Sequence, residues 1–222
     1  MPHAIGLDVY GTLVDPLAMA GAFSPWLGAR AEACARLWRQ KQLEYTFLRA
    51  LMKRYDDFTV CTRQALDFAT RVFGLALSDD DREHLLGKTR ELPAYPDVVP
   101  GLRRLREGGH VLVAFSNGTE AEVRATLDRA GVSEHLDGVV SVDEIRTYKP
   151  DPAVYLHLVA RLGRPADETW LVSGNPFDVL GALSAGLRSA WVCRRSDAVF
   201  DPWGVVPDLV VTDLGELANR LG

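Results

Sequence analysis

A carboxylate at the end of a buried strand points at whatever lies beyond the sheet, and this chain starts with one. Asp8, in Asp8-Val9-Tyr10-Gly11-Thr12, directly follows the apolar run Ala4-Ile5-Gly6-Leu7. Ligands of open α/β sheets sit in the crevice outside the carboxyl ends of the strands, so Asp8 is placed to act on a substrate. Further strand-like runs end the same way. Ser116-Asn117 follow the run from His110 to Phe115. Lys149, in Tyr148-Lys149-Pro150-Asp151, follows strand 138–142. Ser173, Asn175 and Asp178 follow Trp170-Leu171-Val172. Singly, each has an ordinary role as a helix cap, a turn residue or a solvated surface group. Parallel strands align such ends along one edge, which brings two carboxylates, an amine, hydroxyls and amides into one crevice.

The elements that position these groups follow from periodicity. Residues 28–54 read as one long helix, with Cys34, Trp38, Tyr45, Leu48 and Met52 at helical spacing. Helices near 61–73 and 79–89 follow, the second opened by Ser78 as N-cap. This helical block ends at Leu92-Pro93-Ala94-Tyr95-Pro96. Beyond it, helices at 98–108, 119–130, 152–162 and 177–186 alternate with strands at 110–115, 138–142, 169–173, 188–193 and 209–211, before a C-terminal helix. Such alternation implies βαβ units and a mainly parallel sheet. Strand 4–9 can find partners only among the later strands. The expected architecture is therefore an α/β doubly wound, Rossmann-like core (residues 1–14 and 96–222) with an inserted all-helical cap (15–95).

A chain of 222 residues suits a core carrying a smaller insertion. With 25 Lys and Arg against 30 Asp and Glu, the formal charge of -5 argues against a nucleic-acid partner, which calls for a basic surface. No apolar run approaches the roughly 18 residues of a membrane span. Met1-Pro2-His3-Ala4 has no signal-peptide pattern. Cys34, Cys61 and Cys193, odd in number and scattered, suit free thiols in a reducing compartment, so a cytoplasmic protein is expected.

Asp8-x-Tyr10-Gly11-Thr12, Ser116-Asn117, Lys149-Pro150 and the Ser173-to-Asp178 loop resemble, in this order, the motifs of the haloacid dehalogenase superfamily. The inserted helical cap is also similar, and the likeness spans essentially the whole chain. Two departures from the superfamily's phosphatases point to its L-2-haloacid dehalogenases. The phosphatases carry Asp-x-Asp, whose second Asp protonates a leaving alkoxide. Tyr10 stands there instead, a poor acid at neutral pH, and a departing halide needs no proton. The phosphatases also hold Mg²⁺ through Gly-Asp-x-x-x-Asp, whereas Ser173-Gly174-Asn175-Pro176-Phe177-Asp178 has Gly174 at the first Asp. With one carboxylate fewer, neither a metal nor another cofactor is expected. The stretch Trp38 to Tyr45 is similar to the dehalogenase cap helix. There Arg39 heads an i, i+4 stripe with Leu43, Phe47 and Leu51, on a side expected to face apolar surroundings. An Arg so placed needs a partner: a buried carboxylate, water or, as the resemblance implies, a halide.

The resemblance implies a mechanism and a role for each residue. Asp8 attacks the α-carbon of a short L-2-haloalkanoate in line, expels halide and forms an ester whose hydrolysis yields the D-2-hydroxy acid. Arg39, Asn117 and the edge of Phe177 stabilise the leaving halide. Ser116 and backbone amides near Tyr10-Gly11 bind the substrate carboxylate, while Leu43 and Phe58 shape the apolar wall. Lys149 favours the ionised form of Asp8, and Thr12 holds one of its oxygens. Asp178, with Asn175 and Ser173, positions the hydrolytic water, and Tyr155 lies near Lys149 and Asp178. Ordinary packing also accounts for Leu43, Phe58 and Tyr155. Gly174-Asn175-Pro176 departs from the Ser-Asn-Ala common in close relatives, and Phe177 stands where some carry Trp. The competing readings are a same-fold phosphatase, a hydrolase opening a strained-ring amine, and a non-enzymatic binding member. The expected partner is a small-molecule 2-haloacid, with no nucleic acid or membrane. Homodimers are common among similar dehalogenases, so a homodimer is the candidate assembly.

Overall fold

The short apolar runs become one six-stranded sheet of β1 (Ala4–Asp8), β2 (Val111–Ser116), β3 (Gly138–Ser141), β4 (Thr169–Ser173), β5 (Arg188–Val192) and β6 (Leu209–Val211). The computed structural model describes residues 2–222, so Met1 of the expected core segment lies outside the described residues. The order is β3-β2-β1-β4-β5-β6 and every pair is parallel. All residues of β1 and β4 are buried, which is why these strands read as continuous apolar runs rather than as alternation. The order reverses at β1, and a switch point of this kind leaves a crevice at the strand ends. Register sets where the polar groups emerge. Asp8 is level with Phe115, Leu7 with Val172, and Ser116 with Ser141. Asp8, Ser116 and Ser173 thus leave the sheet within one residue of each other on three adjacent strands.

Between β1 and the remaining strands lie α1 (Met19–Leu27), α2 (Ala31–Met52), α3 (Phe58–Val72) and α4 (Asp79–Lys88). Ser78 and Asp81 form a reciprocal capping box at the start of α4. Helix α1 is not foreseen in the sequence, because Gly21 and the internal Pro25 weaken local helical preference. Tertiary burial overrides that preference: Met19, Phe23 and Leu27 recur every fourth residue and are buried, with Phe23 edge-on to Trp38 at 5.6 Å. The indole Nε1 of Trp38 donates to the Thr62 carbonyl at 2.9 Å, joining α2 to α3.

The buried face of α2 differs from the expected stripe. Ala31, Cys34, Ala35, Trp38, Gln42 and Thr46 are buried, whereas Arg39, Leu43 and Phe47 are half-buried and Leu51 is 81% exposed. Trp38 takes the position between α1 and α3, which turns the Arg39 row to the flank of that contact. Phe47 on this flank meets Phe177 edge to face at 5.1 Å.

The strands are joined through α5 (Val98–Glu107), α6 (Glu120–Arg129), α7 (Pro152–Leu162) and α8 (Pro176–Ser184), and α9 (Leu214–Leu221) closes the chain. Asp151 caps α7 and Pro152 occupies its first turn, as the Asp-Pro pair implies. Among the described residues no helix is long and apolar enough to cross a membrane. Helices α5 and α9 touch so closely that a Cβ on Gly101 would lie 2.4 Å from the Leu214 Cβ and 2.9 Å from its carbonyl carbon. Gly101→Ala is therefore expected to destabilise the protein by about 1–3 kcal/mol through overpacking. An unchanged urea midpoint would contradict this approach of the two helices.

Candidate active site

Lys149 is the centre of the polar cluster. It is 1% exposed, and its ammonium donates to Asp8 Oδ1 at 2.9 Å, Asp178 Oδ2 at 2.8 Å and the Phe115 carbonyl at 2.9 Å. These three bonds use every proton that the group carries. Burial by itself lowers the pKa of Lys149, but Asp178 and Asp8 outweigh it and hold the ammonium above its ordinary value. Asp178 responds in the opposite sense. Burial is the leading influence and raises its pKa, Lys149 opposes that rise, and Asp8 adds to it. Tyr155 donates to the other oxygen of Asp178 at 2.8 Å. Burial and the adjacent Asp178 keep the Tyr155 hydroxyl well above its ordinary pKa, so it remains a neutral donor.

The second oxygen of Asp8 accepts from Thr12 Oγ1 at 2.7 Å and from Asn175 Nδ2 at 2.7 Å. Thr12 in turn accepts from the Gly174 amide at 2.8 Å, and Asn175 Nδ2 also reaches the Tyr10 carbonyl at 3.0 Å. Asn175, expected beside the water with Asp178, thus binds Asp8 directly. Ser173 is fully buried and its Oγ accepts the Asn175 amide at 3.1 Å, which fixes the turn. A Cβ on Gly174 would stand 2.3 Å from the Gly11 carbonyl oxygen, so this backbone leaves no room for a side chain there.

Around Asp8 lie groups with bonding capacity to spare. Ser116 Oγ accepts the Gly118 amide at 3.1 Å, and Asn117 Oδ1 accepts the Lys149 amide at 3.1 Å. The Ser116 proton and Asn117 Nδ2 have no partner among the described residues. The Gly11 amide, expected to bind a carboxylate, instead donates to the Val14 carbonyl at 2.8 Å. Closing the turn after β1 at a positive-φ glycine uses that N–H, so of the Tyr10-Gly11 pair only the Tyr10 amide lacks such a partner. The Tyr10 ring stacks on Phe58 at 5.9 Å. Burial raises the Tyr10 pKa, which makes it a still poorer acid.

Arg39 reaches this wall from α2. Its Nη1 donates to Gln42 Oε1 at 2.6 Å and its Nη2 to the Tyr10 carbonyl at 3.2 Å. Among the described residues it forms no ion pair, so a buried carboxylate is not its partner. Leu43 sits half-buried one turn further along α2. A cavity of about 200 Å³ is bounded by Tyr10, Arg39 and Phe58, yet Asp8, Lys149 and Asp178 are not on its walls. The Tyr10–Arg39–Phe58 wall therefore borders the cavity as well as the site. Sequence reasoning missed Gln42, although its spacing of three from Arg39 on a helix was a usable signal. It also missed Arg194, whose guanidinium donates to the Thr12 carbonyl at 2.5 Å, pairs with Asp97 at 2.6 Å and lies over the Tyr95 ring. No motif marks that residue.

A family model for haloacid dehalogenase-like hydrolases matches residues 2–186. The chain belongs to this family. It is 41% identical to (S)-2-haloacid dehalogenase 1 of Pseudomonas sp. (strain CBS-3), over 86% of this chain and 85% of that protein. It is 35% identical to an (S)-2-haloacid dehalogenase of Pseudomonas putida, over 99% and 96%. The fold superposes with a TM-score of 0.91 on L-2-haloacid dehalogenase from Xanthobacter autotrophicus with chloropropionic acid covalently bound, at 33% identity, covering 100% of this chain and 98% of that one.

In this haloacid dehalogenase-like hydrolase, Lys149→Met leaves Asp8 and Asp178 buried without their shared cation. The expected loss is about 3–5 kcal/mol at neutral pH. The sign of the pH dependence follows from linkage. The folded pKa of Lys149 lies above 10.5, so its stabilisation is complete below pH 10.5 and is lost as pH rises through the folded value. In the variant, Asp178 loses the cation that restrained its raised pKa. The folded state then takes up a proton there more readily than the unfolded chain, and the deficit shrinks as pH falls from neutrality. Urea unfolding across pH checks both statements, and an undiminished stability at neutral pH would refute the first.

Proposed function

We propose that this enzyme hydrolyses short L-2-haloalkanoic acids to D-2-hydroxy acids and halide through an ester on Asp8. The observation that carries the reading is the contrast of two cations. Lys149 forms ion pairs with both carboxylates, whereas Arg39, near enough to Asp8 to feel its charge, forms none. A nucleophile held by Lys149, Thr12 and Asn175, with an unmatched cation in the wall beside it, suits displacement of an anion from carbon.

In the first step an Asp8 oxygen bonds to the α-carbon as the carbon–halogen bond breaks, which inverts that carbon. Arg39, Asn117 Nδ2 and the edge of Phe177 receive the halide, while the Ser116 hydroxyl and the Tyr10 amide hold the substrate carboxylate. Tyr10, Leu43 and Phe58 enclose the alkyl group. In the second step water adds to the Asp8 carbonyl carbon and Asp178 accepts its proton. A base whose pKa is raised by burial is better matched to this task than an ordinary Asp. Lys149 stabilises the negative charge that builds on the Asp8 oxygen; as the acyl–oxygen bond breaks, the departing alkoxide takes the proton from Asp178, Asp8 releases its own proton to solvent, and the inverted carbon is untouched. Segment 15–95 acts as a cap that brings Arg39, Leu43 and Phe58 over a core formed by 1–14 and 96–222. A metal-dependent phosphatase has less support, because the Lys149 ammonium stands between the two carboxylates and Gly174 has no room for a third ligand.

Asp8→Asn is expected to abolish halide release from L-2-chloropropionate while the protein stays folded by circular dichroism; full activity would overturn the nucleophile assignment. Asp178→Asn should instead slow the second step, so that intact-protein mass spectrometry finds the 1-carboxyethyl ester of Asp8. The rate of ester hydrolysis should fall in acid with a limb above pH 3.8, the ordinary value of Asp, because the folded pKa of Asp178 is raised. Chelator should leave turnover unchanged.

A further inference from the structure

Arg39 is held by a relay that begins at Gln42. The two residues are three apart on α2 and therefore lie on neighbouring positions of one face. Gln42 is buried; its Oε1 accepts from Arg39 Nη1 at 2.6 Å and its Nε2 donates to Thr62 Oγ1 at 2.6 Å. The Thr62 hydroxyl donates to the Phe58 carbonyl at 2.8 Å, and the Thr62 carbonyl accepts from Trp38 Nε1 at 2.9 Å. The donors run in one direction, from Arg39 through Gln42 and Thr62 to the backbone of α3. Arg carries only donors, so it dictates that the Gln42 oxygen faces it and that the amide nitrogen faces Thr62.

The cavity beside the wall shows why a tether matters. Glu122 lines it together with Arg39, and this carboxylate accepts only from the neutral hydroxyls of Thr59 at 2.8 Å and Thr119 at 3.2 Å. Among the described residues it has no cationic partner. A guanidinium on a flexible stem, once released, has an empty space to turn into and an unmatched carboxylate to turn towards. We infer that Gln42 is a positioning residue for the reaction, which keeps the Arg39 guanidinium against the Tyr10 carbonyl and away from Glu122 without cancelling its charge. A neutral acceptor is suited to this. A Glu at 42 would hold Arg39 equally well but would neutralise the charge that a halide needs.

The inference rests on the proposal that Arg39 receives the halide, so the test separates the two. Single-turnover halide release is measured with L-2-chloropropionate and L-2-bromopropionate for Gln42→Met, Gln42→Glu, Thr62→Val and Arg39→Lys. Bromide leaves more readily than chloride and depends less on stabilisation. A misplaced Arg39 should slow chloride release by roughly 10- to 100-fold. Bromide release should slow less, so the bromide-to-chloride rate ratio rises in Gln42→Met. Gln42→Glu should raise the same ratio and weaken inhibition by added chloride. A ratio that stays at the wild-type value in Gln42→Met while Arg39→Lys raises it would overturn the positioning role alone. An unchanged ratio in Arg39→Lys would remove the halide role of Arg39 and the inference with it. If Gln42→Met fails to fold, Thr62→Val carries the same test by removing the acceptor of Gln42. There a smaller rise in the ratio supports the role, and a wild-type ratio counts against it.

Discussion

The buried ammonium of Lys149 between Asp8 and Asp178 is the constraint on which the rest of the site depends. Removing three charges from water is costly, and their mutual attraction offsets that cost only when geometry is good and the remaining bonds are filled. Both conditions are met here. Lys149 uses all its protons, the far oxygen of Asp8 accepts from Thr12 and Asn175, and the far oxygen of Asp178 accepts from Tyr155. The end of β1, the loop after β3 and the start of α8 are thereby held in one arrangement. A loop shift that separated them would leave a charge buried and unpaired.

The same cluster gives its two acids different surroundings, as the roles proposed for them require. Asp8 keeps a small exposed surface towards the crevice, 7% for the residue, whereas Asp178 has none and is raised by burial. Two carboxylates on one lysine thus differ in exposure and in hydrogen-bond partners rather than in residue type. Gly174 belongs to this arrangement, because its close contact with the Gly11 carbonyl lets the β4 turn approach the β1 turn and place Asn175 on Asp8.

The helical block contributes what the sheet lacks. The sheet edge provides two carboxylates, an amine, a hydroxyl and an amide, while α2 and α3 bring a guanidinium without an ion-pair partner and an aromatic wall. They share buried apolar clusters with the sheet, Phe58 and Cys61 packing with Phe115 and Tyr148, and polar contacts add direction: Arg39 on the Tyr10 carbonyl, Thr59 on Glu122, and the Tyr55 and Tyr148 hydroxyls on Asp143 and the Asp56 carbonyl. Apolar contacts between Phe47 and Phe177 and between Tyr10 and Phe58 add shape.

Much of the core was legible in the sequence because its information is local. Strand runs, the Ser78 cap and the Asp151-Pro152 start of α7 each depend on a few adjacent residues, and the four polar strand ends follow from parallel alternation. Tyr10 and Gly174 were likewise readable as residue types that alter the chemistry. The buried face of α2 was not, since α1 and α3 rather than its own periodicity decide which side turns inward. Nor was the destination of individual donors. Gly11 gives its amide to a turn, Asn175 gives its amide to Asp8, and Arg39 is tied to Gln42 instead of to a carboxylate. The sequence by itself determined which chemical groups arrive at the sheet edge. Only the tertiary structure decided which of them are already satisfied, because Lys149 and Asp8 meet across 141 positions of chain. At that separation hydrogen-bond geometry and burial, rather than spacing, choose the partners.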